Sequence, residues 1–166
     1  MSNEFKYTLA FIKHGNHILM INREKSPWKG SWNGVGGKLL PGESKEECIK
    51  REIVEETGYE IDNVQFKGIL TWENFDAKGM GLYLFVASLD EEIDISQITL
   101  TKEGILAWKE YSWIVSQDNI GVAKNIPHFL PAIIEDNKTI HCHCVFNDYQ
   151  LLEVSINELT DQWVHV

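Results

Sequence analysis

Short apolar runs, separated by turn residues, extend along much of the chain and predict a sheet of several strands. The first two runs flank His14-Gly15-Asn16, which has the composition of a tight turn, so they predict a hairpin. Residues 89–98 are acidic and have no clear period, which predicts a loop. The predicted strands are Phe5–Ile12, His17–Asn22, Asn63–Trp72, Gly81–Ala87 and Ile105–Trp108.

The stretch GGKLLPGESKEECIKREIVEETGY differs from this pattern and predicts a glycine-rich loop, a Pro-Gly turn and one helix. Ser44, followed three residues later by Glu47, has the spacing of a capping box, so the helix should begin at about Lys45. Gly58 suits the position after a helix and places its end near Thr57.

Three acids of this helix share one face, because Glu52, Glu55 and Glu56 are three and four residues apart. They border the buried side, which Ile53 marks, and crowded carboxylates that are partly desolvated need a cation. Hard oxygen ligands favour Mg²⁺ or Mn²⁺. A solvated acidic face is the commoner meaning of a charge run. The glycines before the helix, and Arg51 four residues before Glu55, favour the metal site.

A second helix is predicted near the end of the chain. Asn125 is a good N-cap residue, and Pro127 is tolerated in a first helical turn. These signals predict a helix from about Ile126 to Glu135.

The segment 138–156 predicts a β-hairpin extension, with strands Thr139–Phe146 and Gln150–Ile156 joined at Asn147-Asp148. It contains two histidines and two cysteines in alternation, which raises the question of a zinc site. In a strand, His141 and His143 would face one way while Cys142 and Cys144 faced the other. Zinc needs ligands that converge, so the pattern favours the hairpin.

The composition fits one globular domain over residues 1–166, with 43% hydrophobic residues and no repeat or linker. The formal net charge of −10 argues against binding to a nucleic-acid polymer, which requires a basic patch. A polyphosphate would bind only with metal ions that screen the charges. An odd number of cysteines, no secretory leader and no long apolar segment favour a reduced, cytoplasmic protein without membrane contact. The sequence does not indicate an oligomeric state.

In the helix stretch, five residues separate Gly37 from Glu43, and seven separate Glu43 from Arg51-Glu52-Ile53. Glu55-Glu56 and then Gly58 follow, each after one intervening residue. This spacing resembles the Nudix box at every fixed polar and glycine position. Only Tyr59 departs, at a packing position where the family usually has an aliphatic residue. The resemblance implies an α+β fold, an α/β/α sandwich around a mixed β-sheet. It also implies hydrolysis of a nucleoside diphosphate linked to another group, with Mg²⁺ or with Mn²⁺ in its place.

The same resemblance assigns roles within the helix and beyond it. A catalytic carboxylate takes a proton from water, and Glu55 and Glu103 are both candidates for it. An exposed loop acid is the alternative for Glu103. Arg51 is expected to pair with Glu43 and fix the helix against its loop. The implied ligands of two or three Mg²⁺ ions are the Gly36 carbonyl, Glu52, Glu55 and Glu56.

The stretch WNGVGGK resembles the Nudix enzymes that remove oxidised purine nucleotides. It implies that Asn33 lies in the base pocket and Lys38 near the phosphates. Arg23, at the end of the second predicted strand, either contacts the phosphates or is a solvated charge. Asn125 stands in an Asn-x-Pro segment similar to that of MutT proteins, where the asparagine reads the purine edge; helix capping alone would also explain it.

These expectations give an ordered set of functions. The first is a Mg²⁺-dependent hydrolase that converts 8-oxo-dGTP, or a related purine triphosphate, to the monophosphate and pyrophosphate. The second is the same chemistry on ADP-ribose, a nucleotide sugar or a dinucleoside polyphosphate. The third is a module that senses a nucleotide without hydrolysing it. In each case the partner is a small nucleotide.

Overall fold

The structure is a computed structural model that describes residues 5–75 and 80–160. No helix within these residues is long and apolar enough to cross a membrane. The described elements are, in order, β1 (Thr8–His14), β2 (His17–Arg23), β3 (Trp32–Asn33), α1 (Lys45–Thr57), β4 (Val64–Glu73), β5 (Gly81–Ser88), β6 (Ile98–Thr101), β7 (Gly104–Glu110), α2 (Tyr111–Ile114), α3 (Ile126–Ile134), β8 (Ile140–Asn147) and β9 (Gln150–Glu158).

The strands form one mixed sheet in the order β6-β7-β2-β1-β5-β4-β8-β9, with β3 paired to β2 beside this path. β1 pairs in parallel with β5, and β4 pairs in parallel with β8, while the other neighbours are antiparallel. β1 and β2 form the predicted hairpin. The predicted C-terminal hairpin is also present, as β8 and β9, and it extends the sheet beyond β4.

Helices cover both faces of the sheet. On one face α1 packs Ile49 and Ile53 into an apolar cluster that includes Ala10. On the other face α3 packs Phe129 into a second cluster that includes Phe11. Successive strand residues point to opposite faces, so neighbours in β1 belong to different clusters. The fold is therefore the α/β/α sandwich that the sequence predicts.

Local capping fixes the position of α1 along the chain. The Ser44 hydroxyl accepts a hydrogen bond from the Glu47 N–H at 3.1 Å, and the Glu47 carboxylate accepts one from the Ser44 N–H at 3.2 Å. Gly58 ends the helix in the left-handed region, at φ 80°, and donates to the Val54 carbonyl at 2.9 Å. The predicted start and end of α1 are confirmed.

Other boundaries differ from prediction. β3, β6 and α2 were not predicted; β6 begins at Ile98, where a loop was expected to end. Its Ile98 and Leu100 are exposed at the sheet edge, so no alternation of buried and exposed positions marks the strand. β1 starts at Thr8, three residues later than predicted. The C-terminal turn is Asp148-Tyr149, one residue later than predicted, because Asp148 takes the positive φ of 55°.

The interpretation of Asn125 as a capping side chain is wrong. Asn125 occupies the N-cap position of α3, but its side chain makes no capping hydrogen bond. Its backbone is already helical, with φ −81° and ψ −20°, whereas a capping residue is normally extended. The Asn125 side chain is therefore not engaged by the first turn of the helix.

Alternation along β8 separates its histidines from its cysteines. Cys142 and Cys144 are fully buried, while the His141 and His143 rings on the opposite face hydrogen-bond to the Thr71 hydroxyl at 2.8 and 2.7 Å. The histidine and cysteine side chains thus lie on opposite faces of β8, which is the arrangement that the alternation predicts.

Candidate active site

A cavity with a volume of ≈ 640 Å³ lies beside the glycine-rich loop and α1, which is within the size range of small-molecule sites. Its lining falls into a polar group and an apolar group. The apolar group contains Leu70, Leu82 and four aromatic residues, Trp28, Trp72, Phe75 and Phe146. The polar group includes Arg23, Asn33, Gly36, Glu56, Glu103 and Asn125.

Two glycines bring the loop backbone against β1 and α1. The Gly37 carbonyl accepts a hydrogen bond from the Thr8 N–H at 2.9 Å, and the Gly36 N–H donates to Oε2 of Glu56 at 3.2 Å. A methyl group at Gly36 would overlap the Thr8 carbonyl, and one at Gly37 would overlap the Glu52 carboxylate. Glycine is needed at both positions because larger residues would push the loop away from the acids.

Arg51 holds the acidic helix against this loop. Its guanidinium contacts the Glu43 carboxylate at 2.7 and 3.0 Å, and the predicted ion pair is present. It also donates to Glu52 at 2.9 Å, to Glu55 at 3.1 Å and to the Lys38 carbonyl at 3.0 Å. These contacts lower the pKa of Glu43, chiefly through the hydrogen bond from Arg51. Arg51 thus positions carboxylates and backbone without lining the cavity.

Glu56 is a half-buried acid in the cavity wall. Burial raises the pKa of Glu56 to about 8, and repulsion from Glu52 and Glu103 adds to this effect. The hydrogen bond from the Gly36 N–H and the positive charge of Arg23 act in the opposite direction. Burial also raises the pKa of Glu52, against the hydrogen bond from Arg51. The ionised forms of Glu52 and Glu56 are therefore disfavoured in the absence of a cation.

The donor set suits a hard divalent cation. Glu52, Glu56 and Glu103 interact electrostatically, and carboxylate and carbonyl oxygens are the ligands that Mg²⁺ and Mn²⁺ prefer. In the residues that the structure describes, no three His, Cys, Asp or Glu side chains are already placed as a coordination shell. Arg51 holds one oxygen of Glu52 and one of Glu55, so the second oxygen of each carboxylate remains available to an ion.

The predicted substrate residues divide between the cavity and the surface. Arg23, Asn33 and Asn125 all line the cavity, whereas the Lys38 side chain is exposed and does not. Arg23 Nε donates to the Pro27 carbonyl at 2.6 Å, which orients its guanidinium at the end of β2.

The two asparagine amides are held differently. Oδ1 of Asn33 accepts a hydrogen bond from the N–H of Gly34 at 2.8 Å. Asn125 is only 6% exposed. Its side chain lies near Cys144 and, after the larger effect of Cys142, helps to lower the pKa of Cys144 against the effect of burial. Both amides are therefore fixed in the wall of the same cavity.

The two candidates for the general base are placed unequally. Glu103 lines the cavity and lies close enough to Glu56 to raise its pKa. Glu55 is 58% exposed, is held by Arg51, and does not line the cavity.

The aromatic lining was not predicted as part of the site. Trp28, Phe75 and Phe146 belong to the β2–β3 connection, the segment after β4 and β8. Aromatic residues in strands and loops usually indicate core, and no spacing links these three in the sequence. Their common signal is only that each follows a predicted strand or lies at its end.

Residues 7–132, more than half of the chain, match the sequence model of the NUDIX domain. The chain belongs to the Nudix family. Nudix hydrolases generally use divalent metal ions, which agrees with the donor set described above. The matched region contains the glycine loop, α1 and all predicted site residues. It ends within α3, so β8 and β9 follow it.

Curated relatives of this Nudix chain carry several names. It is 34% identical over 73 residues to a mouse protein named oxidized purine nucleoside triphosphate hydrolase, covering 44% of this chain and 47% of that one. It is 26% identical over 141 residues to the uncharacterized Nudix hydrolase YvcI of Bacillus subtilis, and the match covers 82% of this chain and 83% of YvcI. A GDP-mannose pyrophosphatase of Yersinia enterocolitica is 38% identical over 63 residues, covering 34% and 33%. The match thus spans about half of the mouse protein.

Solved structures show the same Nudix fold. A MutT protein from Bacillus halodurans superposes with a TM-score of 0.70 at 24% identity, covering 91% of this chain and 96% of that one. The NUDIX domain of Shewanella oneidensis NrtR, in complex with ADP ribose, superposes with a TM-score of 0.64 at 17% identity, covering 83% and 91%.

Proposed function

We propose that this Nudix protein is a Mg²⁺-dependent pyrophosphohydrolase of purine nucleoside triphosphates, acting on oxidised forms such as 8-oxo-dGTP. The observation that carries the proposal is that one cavity gathers Glu56, Glu103 and Arg23 together with the amides of Asn33 and Asn125. The acids and the arginine suit a metal-bound polyphosphate, and the amides suit the mixed donor and acceptor edge of an oxidised guanine. The partial match to the mouse hydrolase agrees with this substrate class.

The polar residues of the site would have different roles in hydrolysis. Glu52, Glu56 and the Gly36 carbonyl would hold Mg²⁺, or Mn²⁺ in its place, and a bound ion would neutralise charge on the phosphate oxygens. Arg23 would bind a phosphate oxygen. Arg51 keeps Glu52 and Glu55 in position.

The reaction itself is the addition of water to a phosphorus of the α–β anhydride. A carboxylate takes one water proton while the water oxygen bonds to that phosphorus, the bond from the same phosphorus to the bridging oxygen breaks, and the monophosphate and pyrophosphate separate. The position of Glu103 within the cavity supports it as the acceptor of that proton over Glu55.

The amides of Asn33 and Asn125 would bind the edge of the base. Each amide offers a donor and an acceptor, so together they can distinguish purine edges that differ in these groups. A site built to hydrogen-bond a substrate discriminates strongly against analogues that leave its polar groups unpaired. Base selection would therefore be separate from the phosphate chemistry.

Substrate comparison tests this proposal. We expect kcat/KM with Mg²⁺ to be highest for 8-oxo-dGTP when it is measured beside dGTP, ADP-ribose and GDP-mannose. A preference for ADP-ribose or GDP-mannose would overturn the oxidised-purine assignment and leave hydrolysis of a nucleoside diphosphate derivative in place.

Two matched variants test the catalytic roles. Glu103→Gln should lower kcat by about a hundredfold or more, as expected for loss of a general base, and Glu55→Gln should lower it less. The reverse order would assign the base to Glu55. A protein that binds 8-oxo-dGTP and hydrolyses none of these compounds would be a nucleotide sensor.

A further inference from the structure

The C-terminal hairpin takes part in the cavity although it follows the region that matches the family. We propose that the turn end of β8 and β9 is a specificity-determining part of the site. In this arrangement Phe146 and Tyr149 hold Trp28 and Phe75 as an aromatic wall, against which the base of the nucleotide packs. The inference rests on the proposed function, because it concerns the base of that substrate.

Three rings of the wall come from distant parts of the chain and contact one another. The Phe75 and Phe146 rings have centroids 4.5 Å apart at an interplanar angle of 31°, and those of Trp28 and Phe75 are 5.1 Å apart at 34°. Trp28 and Phe146 meet at 5.9 Å and 63°. All three residues line the cavity. Offset and tilted pairs at these separations attract one another, so each ring fixes the positions of the others.

Tyr149 supports this wall from outside the cavity. The centroid of its ring lies 5.5 Å from that of Trp28 and 5.4 Å from that of Phe75. The interplanar angles are 70° and 84°, so both contacts are edge to face. Its hydroxyl is 3.1 Å from the Ser26 hydroxyl, which ties the hairpin turn to the β2–β3 connection. Tyr149 does not line the cavity. It is therefore a positioning residue that acts through the two rings it contacts.

Burial separates this role from ordinary core packing. Phe146 is 2% exposed and would stabilise the protein in any case, whereas Tyr149 is 41% exposed. Its ring contacts are with Trp28 and Phe75, two residues of the cavity wall. The loss of the Tyr149 ring should therefore affect the wall more than the fold.

The base is the part of a nucleotide that fits this wall. A purine ring has apolar faces that pack on aromatic side chains and a polar edge that suits amides. Asn33 and Asn125 line the same cavity, and the Asn125 side chain lies near Cys144 on the strand that carries Phe146. The hairpin thus contacts both an edge-binding amide and a ring of the wall.

Kinetics of hairpin variants test the inference. We would measure kcat and KM for 8-oxo-dGTP, dGTP and dCTP with the variants Tyr149→Ala, Tyr149→Phe and Leu152→Ala. Leu152→Ala is the control, because it shortens an apolar side chain on β9 that is 54% exposed. Tyr149→Ala should raise KM for both purines by about two- to tenfold, the size that ring contacts support, with kcat unchanged. The KM for dCTP should change less, since a pyrimidine presents a smaller face. Leu152→Ala should match the unaltered protein. Tyr149→Phe keeps the ring contacts and loses only the contact with the Ser26 hydroxyl, so its KM should rise less than that of Tyr149→Ala.

Several results would overturn the inference. The first is an unchanged KM for purines in Tyr149→Ala. The second is an equal rise in the KM for dCTP in that variant, and the third is the same rise in KM in Leu152→Ala. Should Tyr149→Ala lower the melting temperature, Phe75→Leu removes a wall ring directly and must also reduce the ratio of purine to pyrimidine kcat/KM. If the unaltered protein hydrolyses no triphosphate, the proposed function and the inference fall together. If it prefers purines and every variant keeps that preference, only the inference falls.

Discussion

The N–H of Gly36 donates to Oε2 of Glu56 across 3.2 Å, so the glycine-rich loop and the acidic helix are joined at the polar part of the cavity. This contact is possible because Gly36 lies against the carbonyl of Thr8, with no room for a side chain. The loop is therefore as much a part of the site as the acids are. Its exact path should determine where the carboxylates lie.

Gly37→Ala tests this dependence on the loop. The added methyl would overlap the Glu52 carboxylate, which must then move away from its place beside Arg51. We expect kcat/KM to fall by about a hundredfold, since small displacements of catalytic groups have effects of that size. Leu40→Ala, in the exposed part of the same connection, is the control and should stay near the unaltered rate. A fully active Gly37→Ala would show that Glu52 does not need this position.

Removal of divalent ions should abolish hydrolysis, and Mg²⁺ or Mn²⁺ should restore it. Burial, with repulsion between neighbouring carboxylates second to it, raises the pKa of Glu52 and Glu56. A cation that stabilises their ionised forms should therefore also raise the melting temperature. Glu56→Gln should lose most of that rise, whereas Glu60→Gln, an exposed acid after the helix, should keep it. An equal rise in both variants would place the ion elsewhere.

Asn125→Ala should weaken purine binding selectively. The amide is buried in the cavity wall and is not used for helix capping, so its loss should leave the start of α3 intact. We expect KM for 8-oxo-dGTP to rise by about tenfold with a much smaller change in kcat. Asn63→Ala, at an exposed asparagine, provides the comparison. A fall in kcat without a change in KM would argue against a role in base binding.

The ion pair of Glu43 and Arg51 should make stability depend on pH in mild acid. The hydrogen bond from Arg51 lowers the pKa of Glu43 below its ordinary value of 4.5 in the folded protein. The contribution is therefore complete above that value and is lost as pH falls through the lower folded pKa. Glu43→Gln should reduce the free energy of unfolding by about 1–3 kcal/mol at pH 7.

Measurements at low pH test whether the charge of Glu43 causes this loss of stability. Chemical denaturation of Glu43→Gln and the unaltered protein should give converging free energies of unfolding as pH is lowered below about 4. A difference that persists at low pH would mean that the substitution acts through packing and not through the charge of Glu43.

Local chemistry explains which features the sequence could predict. The bounds of α1 follow from a capping box and a terminal glycine, both within a few residues, and they are confirmed. The hairpin of β8 and β9 was predicted from alternation, which the burial of Cys142 and Cys144 reproduces. β6 could not be recognised because the apolar side chains Ile98 and Leu100 are exposed at the sheet edge.

The site was predictable only where its residues carried a motif. The acids of α1 and the loop glycines have fixed spacings, but Lys38, assigned from the same stretch, is exposed outside the cavity. Trp28, Phe75 and Phe146 meet through the topology of the sheet, which places β8 beside β4. Such contacts between distant segments depend on strand order, which the sequence pattern does not specify.

The parallel pairing of β8 with β4 also bears on where the protein can be cut. Residues from Gly68 to Glu73 pair with Ile140 to Val145, so the backbone of β4 is covered on this side by the hairpin. A chain shortened to the family match, ending at residue 132, would turn an interior strand into an open, largely apolar edge. Such a fragment should self-associate instead of behaving as a smaller enzyme. The minimal folding unit should therefore extend beyond the residues that match the family model.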